Sequence, residues 1–226
     1  MDSDKFRVFV EQWQNGTFLK EFGITLYLTI VSTIFAYLIG TLLGVTLYLT
    51  SKGSIKENKV INKILGIIVN IIRSIPFFIF MFAMVPVNKT LIGTVSGNEA
   101  MIITLIFAAS PFVARMVESS LNEVDHGIIE AAEAMGANTY EIIFKVVIPE
   151  ALPSLILGLV ISTITILGYS AMASSIGAGG LGSLAKTYGY TRYNTYIMWC
   201  CIILIVIIVQ VIQELGSHLA KKLDRR

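Results

Sequence analysis

The chain has 226 residues, of which 55% are hydrophobic and 14% charged, and its mean hydropathy is +0.76. Soluble domains carry about 25% charged residues, so this composition argues against a soluble protein and favours one embedded in a bilayer. A net charge of +2 is too small to predict nucleic-acid binding. The adjacent Cys200 and Cys201 lie inside an apolar run, which predicts neither a disulfide nor a metal site.

The first apolar segment covers residues 22–50, more than the roughly 20 residues that a spanning helix needs. Within it, Gly40 and Gly44 have the spacing that lets two membrane helices approach closely, although chance spacing is the alternative. Charged residues dominate the first eleven positions. We therefore expect no cleavable signal peptide, because such a peptide needs an apolar core near the N-terminus.

The next segment is polar and then amphipathic. Residues 60–72 are apolar but interrupted by polar side chains, which predicts an interfacial or tilted helix. The second span is predicted at residues 74–91, with Pro76 in its first turn and Arg73 at the membrane boundary. The alternative frame, residues 64–85, places Arg73 in mid-membrane, where an arginine is costly and usually functional.

Three further spans are predicted at residues 100–117, 152–175 and 196–215. We expect Ser110 and Pro111 to interrupt the first of these three. The intervening residues 118–151 are too polar to cross a membrane. The sequence therefore predicts an all-α membrane protein with about five transmembrane helices and a long polar loop at residues 118–150.

Five spans place the two termini on opposite sides of the membrane, and basic residues indicate which side is cytoplasmic. Lys145 and the basic clusters at residues 52–63 and 221–226 fall on one side. The other side keeps a smaller set, namely Lys5, Arg7, Lys20, Lys89, Lys186 and Arg192. We therefore predict that the long loop and the C-terminus are cytoplasmic and that the N-terminus lies outside.

The long loop contains the start and stop signals of a short helix. Asp125 is a suitable N-cap, and Gly136 is a typical C-terminal stop. One face of this helix is apolar and small, which suits docking into a groove on another protein. That face carries Ile128, Ala131 or Ala132, and Met135.

A second helix is predicted to follow the first. Asn138 caps it, and Glu141, three residues later, completes a capping-box pair. We expect Pro149 and Pro153 to end it. Two short helices joined at a glycine hinge are thus expected to project from the membrane, with an ordinary amphipathic surface helix as the alternative.

These residues resemble the EAA loop of bacterial ATP-binding-cassette (ABC) importer permeases. The family pattern is Glu-Ala-Ala, three residues, Gly, nine residues, then Ile-x-Leu-Pro. Two positions of this chain depart mildly from it, with valine for isoleucine and isoleucine for leucine. The matching residues are Glu130-Ala131-Ala132, Gly136 and Val146-x-Ile148-Pro149. The resemblance implies that Glu130, Ala131, Ala132 and Gly136 form a coupling helix that docks on a cytoplasmic ATPase.

Further blocks resemble the methionine-importer branch of this family, and the similarity runs from about residue 71 to residue 215. The N-terminal twenty residues carry none of it. The blocks are Arg73-Ser-Ile-Pro-Phe77, residues 109–118, Gly168-Tyr-Ser-Ala-Met172, and Gly179-Gly-Leu-Gly182 followed by Tyr188-Gly-Tyr190.

The resemblance implies a type I ABC importer permease fold, with residues 1–226 forming one transmembrane permease domain. It implies a homodimer around the pathway, two cytoplasmic ATPase subunits, and an extracytoplasmic binding protein that delivers methionine. ATP is then bound by the partner subunit, and no cofactor is expected in this chain. The implied location is the bacterial inner membrane, and the implied mechanism is alternating access.

The fourth predicted span lines the pathway in related permeases, which makes Tyr169, Ser170 and Met172 candidate pathway residues. A polarisable methionine and an amphipathic tyrosine suit transient contact with a thioether side chain. Ordinary packing of an aromatic residue and a methionine is the alternative.

Other function classes lack the residues they need. Glu214, near the end of a span, is the only carboxylate in the predicted apolar runs, which argues against an intramembrane enzyme or a proton-coupled carrier. Residues 177–182 match GxGxxG but follow a membrane helix rather than a strand, so they predict a flexible outer turn. Without a Walker motif, no ATPase activity is expected. A permease for another amino acid is the closest rival, and a non-ABC carrier a more distant one.

Overall fold

The computed structural model describes residues 2–224 of the chain. Within that range all regular secondary structure is helical, which confirms the predicted all-α class. The first half contains α1 (Asp2–Gln14), α2 (Thr17–Thr50), α3 (Lys59–Ser74), α4 (Phe77–Ala83), α5 (Val85–Ile92) and α6 (Asn98–Asn122). The second half contains α7 (His126–Ala134), α8 (Thr139–Glu141), α9 (Ile148–Ser170), α10 (Leu181–Leu184) and α11 (Thr195–Leu223).

Four helices among the described residues are long and apolar enough to cross a membrane. They are α2, α6, α11 and the helix Thr139–Ser170, which joins α8 to α9. α3 and α4 make a fifth candidate if they form one span that is bent by 104° at the break between them. This arrangement agrees with the prediction of about five spans.

The chain divides into two compact units. Unit 1 comprises Met1–Ile34, Pro76–Phe107 and Thr163–Ile212. Unit 2 comprises Phe35–Ile75, Ala108–Ser162 and Gln213–Arg226. The long helices α2, α6, α9 and α11 each contribute residues to both units.

The core of unit 1 gathers apolar side chains from α2, α9, α10 and α11. Its buried members are Phe18, Leu167, Leu181, Leu184, Ile197, Cys201 and Ile208. α1 joins this core through Phe9, whose ring centroid lies 5.8 Å from that of Phe18. The side-chain amide of Asn194 also donates a hydrogen bond to the carbonyl of Lys5 at 2.9 Å, so α1 is tied to the start of α11.

In unit 2, α2 and α6 approach closely at the two glycines singled out in the sequence. A Cβ atom on Gly40 would lie 2.5 Å from Val113 Cβ, and one on Gly44 would lie 2.6 Å from the carbonyl oxygen of Ala114. Any larger side chain would therefore collide with α6. The close approach predicted from the small-residue spacing is confirmed.

A polar network links α3 to α6 within unit 2. Arg115 donates to the carboxylate of Glu118 at 2.7 Å, a contact that their three-residue spacing on one helix allows. The same guanidinium donates to Asn70 Oδ1 at 3.0 Å and to the carbonyl of Gly66 at 3.4 Å. Arg115 therefore has partners on both helices.

The prediction that residues 74–91 form one continuous helix is wrong, because this segment contains the two helices α4 and α5. Ser74 ends α3, Ile75 is extended (φ −81°, ψ 123°), and Pro76 stands immediately before α4. The proline has no N–H with which to continue α3, and its ring disfavours a helical conformation for the residue before it. A second break at Met84 separates α4 from α5.

Arg73 lies in the last turn of α3. Its guanidinium carbon is 5.9 Å from the ring centroid of Phe112, within the range of a cation–π contact. Both interpretations of its depth in the bilayer stay predictions.

The expected interruption of the third span at Ser110 and Pro111 is wrong. α6 is continuous from Asn98 to Asn122 with the proline inside it. A proline in a helix interior costs about 3 kcal/mol. The surrounding residues offset this cost by packing, since Leu105, Val113 and Ala114 are fully buried around it.

Candidate coupling and translocation sites

Helix α7 has defined caps at both ends. The carboxylate of Asp125 accepts a hydrogen bond at 2.6 Å from the backbone N–H two residues on. Gly136 has a φ of +81°, and its N–H donates to the carbonyl of Glu133 at 2.9 Å. The N–H of Ala137 donates to the carbonyl of Ala132 at 3.1 Å. These two bonds form a Schellman end, so the predicted N-cap and glycine stop are confirmed.

The two faces of α7 have different environments. Ile129 and Ala132 point inward, with exposed fractions of 6% and 3%. Met135 is 81% exposed and belongs to the outward face. That face is apolar and small, with an acidic edge, and consists of Gly127, Ile128, Glu130, Ala131, Ala134 and Met135. Of the four residues in the predicted coupling helix, Glu130, Ala131 and Gly136 are exposed and Ala132 anchors the helix from beneath.

A cleft separates α7 from the loop that follows α2. One wall runs from Tyr48 to Ile55, and the other includes Ile129, Glu130 and Glu133. Gly53 is left-handed, with a φ of +77°, and its N–H donates to the carboxylate of Glu57 at 3.0 Å. This bond and the nearby charge of Lys59 lower the pKa of the exposed Glu57 carboxyl.

The second predicted helix start is confirmed. The side-chain oxygen of Asn138 accepts from the N–H of Glu141 at 3.0 Å, and the Glu141 carboxylate accepts from the N–H of Asn138 at 3.2 Å. This is a complete capping box. Lys145 lies one turn further and pairs with Glu141 at 2.9 Å.

The predicted end of this helix at Pro149 and Pro153 is wrong. α8 passes through a π-helical turn, Ile142–Val147, directly into α9. In the wider turn, the N–H of Ile148 donates to the carbonyl of Ile143. A proline breaks a regular helix by colliding with the carbonyl four residues earlier, and the π turn changes that spacing just before Pro149. The loop is therefore joined rigidly to the span that follows it.

Two aromatic residues extend the outward surface of the loop. Tyr140 and Phe144 are 67% and 54% exposed, and their ring centroids lie 4.5 Å apart. Sequence reasoning did not single out either residue. Their four-residue spacing, next to a capping box and opposite the buried Ile142 and Ile143, was the available signal.

Tyr169, near the end of α9, is half-buried. Its ring stacks on that of Phe77 in α4, with centroids 4.3 Å apart and an interplanar angle of 3°. Phe77 is itself buried, so the stack fixes the orientation of the tyrosine ring. Phe77 belongs to the block Arg73-Ser-Ile-Pro-Phe77, and the sequence of that block does not identify it as a partner of Tyr169.

The other two candidate pathway residues differ in accessibility. Ser170 is buried, and its hydroxyl donates to the carbonyl of Leu167 in the same helix at 2.7 Å. Met172 is 42% exposed. Within a single subunit, Met172 is thus the most accessible of the three, and the ring of Tyr169 is held by its stack on Phe77.

The glycine-rich segment at residues 177–182 ends the turn between α9 and α10 and includes the first two residues of α10. Gly177 and Gly180 have φ values of +72° and +110°, which side chains rarely allow. A Cβ atom on Gly182 would lie 2.4 Å from the carbonyl oxygen of Ala171. Backbone conformation and close packing therefore account for these glycines, and the segment follows a membrane-type helix as predicted.

The fold and the exposed α7 surface define a polytopic helical membrane protein with a loop suited to engage a partner. A family described as binding-protein-dependent transport system inner membrane component matches residues 36–225. The chain belongs to this family, and the match confirms the family resemblance identified from the EAA pattern. It is accordingly a component of a membrane transport system.

Relatives over most of the chain carry related names. A probable D-methionine transport system permease protein from Vibrio cholerae is 45% identical over 154 residues, covering 68% of this chain and 68% of that protein. Its Haemophilus influenzae counterpart is 48% identical, with coverages of 68% and 72%. The methionine import system permease protein of Bacillus subtilis is 46% identical, with coverages of 68% and 69%.

Solved structures agree with this relationship. An inward-facing structure of the MetNI methionine ABC transporter contains a chain that is 43% identical, with a TM-score of 0.90. The alignment covers 92% of this protein and 96% of that chain. A chain from an amino acid ABC transporter, crystallised with histidines, matches with a TM-score of 0.75 at 22% identity, which supports the fold alone.

Proposed function

We propose that this chain is the membrane-spanning subunit of an ATP-driven importer that carries methionine into the cytoplasm. The observation that carries the proposal is α7, a doubly capped helix with a small apolar outward face at the EAA position. Its backbone is joined through α8 and the π turn to α9. A force applied to α7 is therefore transmitted to α9, which contains Tyr169 and ends two residues before Met172.

The choice of methionine is supported by the names of the relatives and of the solved transporter. Within the chain, Met172 is partly exposed and lies three residues after the stacked Tyr169, and its thioether is soft and polarisable. A permease for another amino acid is the alternative.

The proposed assembly contains two copies of this chain, two cytoplasmic ATPase subunits and an extracytoplasmic methionine-binding protein. The similarity to a chain of the MetNI methionine ABC transporter supports an assembly with ATPase subunits. ATP binds the ATPase subunits, and this chain needs no cofactor of its own. ATP-driven closure of the ATPases draws the two α7 helices together and alternates the access of the pathway.

The proposed orientation has the N-terminus outside and the C-terminus in the cytoplasm. An odd number of spans, with α3 and α4 as the bent fifth, supports opposite sides for the termini. Basic residues support the assignment of sides, because the segments assigned to the cytoplasm carry more of them than the segments assigned to the outside. The cytoplasmic set includes Lys52, Lys56, Lys59, Lys63, Lys145, Lys221 and Lys222.

The substrate is tested by uptake of radiolabelled L-methionine in host cells with and without the gene, using unlabelled amino acids as competitors. We expect deletion to remove saturable uptake that methionine blocks and that glutamine and arginine do not. Other methionine uptake systems in the host are deleted first. If methionine uptake is unchanged and uptake of another amino acid falls, the substrate assignment is wrong and the importer class stands.

The pathway residues give a separate prediction. Met172→Glu is expected to lower uptake by about tenfold, equivalent to 1.4 kcal/mol, because a carboxylate replaces the exposed thioether. Tyr169→Ala should also reduce uptake, since it removes the stack on Phe77, and Tyr169→Phe, which keeps the ring, is its matched control. ATPase subunits should co-purify with every variant. Wild-type uptake in both Met172→Glu and Tyr169→Ala would exclude this role.

A further inference from the structure

The turn between α9 and α10 is held by side chains of α2. The backbone N–H of Gly180 donates a short hydrogen bond to the carboxylate of Glu21. The next N–H, that of Leu181, donates to the hydroxyl oxygen of Thr25 at 2.8 Å. The Thr25 hydroxyl donates in turn to the carbonyl of Glu21 at 2.9 Å. Two side chains, one helical turn apart in α2, thus supply acceptors for two consecutive backbone N–H groups that lie about 160 residues later in the sequence.

The start of α6 holds the same turn from another direction. The N–H of Gly179 donates to the side-chain oxygen of Asn98 at 3.0 Å. The N–H of Gly97 donates to the carbonyl of Ile176 at 2.9 Å. Four hydrogen bonds therefore join the turn to α2 or to the start of α6.

These acceptors have a clear energetic role. Gly180 and Leu181 are buried, and a buried N–H without an acceptor is strongly unfavourable. Both groups stand at the start of α10, where a carboxylate such as that of Glu21 is also favoured by the helix dipole. Glu21 and Thr25 therefore cap α10 from a different helix.

The glycines permit the close approach that these bonds require. A Cβ atom on Gly179 would lie 2.9 Å from Ile24 Cδ1 and 3.0 Å from the Glu21 carboxylate. A Cβ atom on Gly180 would lie 3.0 Å from the Thr25 hydroxyl oxygen. The glycine backbone of the turn thus packs directly against side chains of α2.

We infer that Glu21 is a positioning residue for transport, which clamps the turn after α9 to the first spanning helix. This turn, residues 171–180, directly follows α9 and includes Met172, so holding it fixes the end of α9 relative to the start of α2 within unit 1. When the clamp is lost, this end of α9 no longer moves together with α2. ATP hydrolysis then continues with less substrate carried per ATP. The inference rests on the proposed import function.

The test uses the complete transporter reconstituted in proteoliposomes, with uptake and ATP hydrolysis measured on the same sample. Glu21→Leu should lower the amount of methionine carried per ATP by about fivefold, with subunit composition unchanged. Glu21→Gln keeps an oxygen that can accept from Gly180 and should retain at least about half of the wild-type ratio. Glu11→Leu, an exposed site in α1, is the matched control and should behave as wild type.

Hydrogen exchange measured by mass spectrometry reports on the clamp itself. The peptide covering residues 177–184 should exchange about tenfold faster in Glu21→Leu than in wild type or Glu21→Gln. If Glu21→Leu fails to assemble, Thr25→Val against Thr25→Ser gives the same comparison, because only serine keeps the hydroxyl acceptor for Leu181. An unchanged ratio and unchanged exchange in Glu21→Leu, or equal losses in Leu and Gln, would overturn the inference. Absence of ATP-driven uptake by the wild-type transporter would instead overturn the proposed function.

Discussion

Ala131→Arg is expected to abolish ATP-dependent uptake while leaving the permease in the membrane. Ala131 lies on the outward face of α7, between Ile128 and Met135, and its side chain is small and exposed. A long, charged side chain at this point prevents a groove on the ATPase subunit from closing around α7. We expect a loss of about tenfold or more in uptake, which corresponds to 1.4 kcal/mol or more of docking free energy. Co-purification of the ATPase subunit measures the docking directly.

Two controls separate docking from folding of the loop. Ala131→Ser keeps the side chain small and should retain uptake and co-purification. Glu123→Arg introduces the same side chain, with a larger change in charge, at an exposed position before α7 and should also assemble normally. Because Ala131 does not contribute to the buried side of α7, the loop itself should stay folded. Wild-type uptake and full co-purification in Ala131→Arg would mean that α7 is an ordinary surface helix.

Gly44→Leu is expected to prevent stable packing of α2 against α6. A Cβ atom on Gly44 would lie 2.6 Å from the carbonyl oxygen of Ala114 and 2.8 Å from Val117 Cβ. The first of these contacts is with backbone, which cannot rotate away as a side chain can. Overpacking of this kind costs about 3 kcal/mol, a large part of the stability of a typical domain. We expect a much lower yield of monodisperse protein in detergent and a lower temperature of aggregation.

The matched control lies in the same helix. Gly23 has no atom within 4 Å of a Cβ placed on it, so Gly23→Leu introduces the same side chain without a collision. Leucine also favours helix over glycine by about 0.8 kcal/mol. Equal behaviour of Gly44→Leu and Gly23→Leu would show that the α2–α6 contact does not determine stability.

Local signals in the sequence predicted the ends of helices well. Asp125, Gly136 and the Asn138–Glu141 pair act through hydrogen bonds that span a few residues, so a short window of sequence contains the whole determinant. The spacing of Gly40 and Gly44 was equally informative about close packing, although only the structure identifies α6 as the partner.

The continuity of helices at prolines was harder to predict. Pro76 breaks the chain between α3 and α4, whereas Pro111 lies inside α6 and Pro149 lies just after a π turn that leads into α9. The three prolines have the same local chemistry. What differs is the tertiary packing around each and the availability of a wider turn, and neither is encoded within a few residues.

The candidate pathway was predicted only as a position along the chain. The sequence alone does not rank Tyr169, Ser170 and Met172 as candidate pathway residues. The structure distinguishes them, because Ser170 is turned back to its own helix and Tyr169 is stacked on Phe77. The contacts of Glu21 with the turn after α9 join residues about 160 positions apart, and no local pattern in the sequence predicts them.

ATP-driven import is tested most directly by methionine uptake into proteoliposomes that contain this chain with its ATPase subunits, with the binding protein supplied on the outside. We predict uptake only when ATP is present on the ATPase side and the binding protein is present on the other side, with no response to an imposed proton gradient. Uptake that proceeds without ATP or without the binding protein, or that follows the proton gradient, would contradict this prediction.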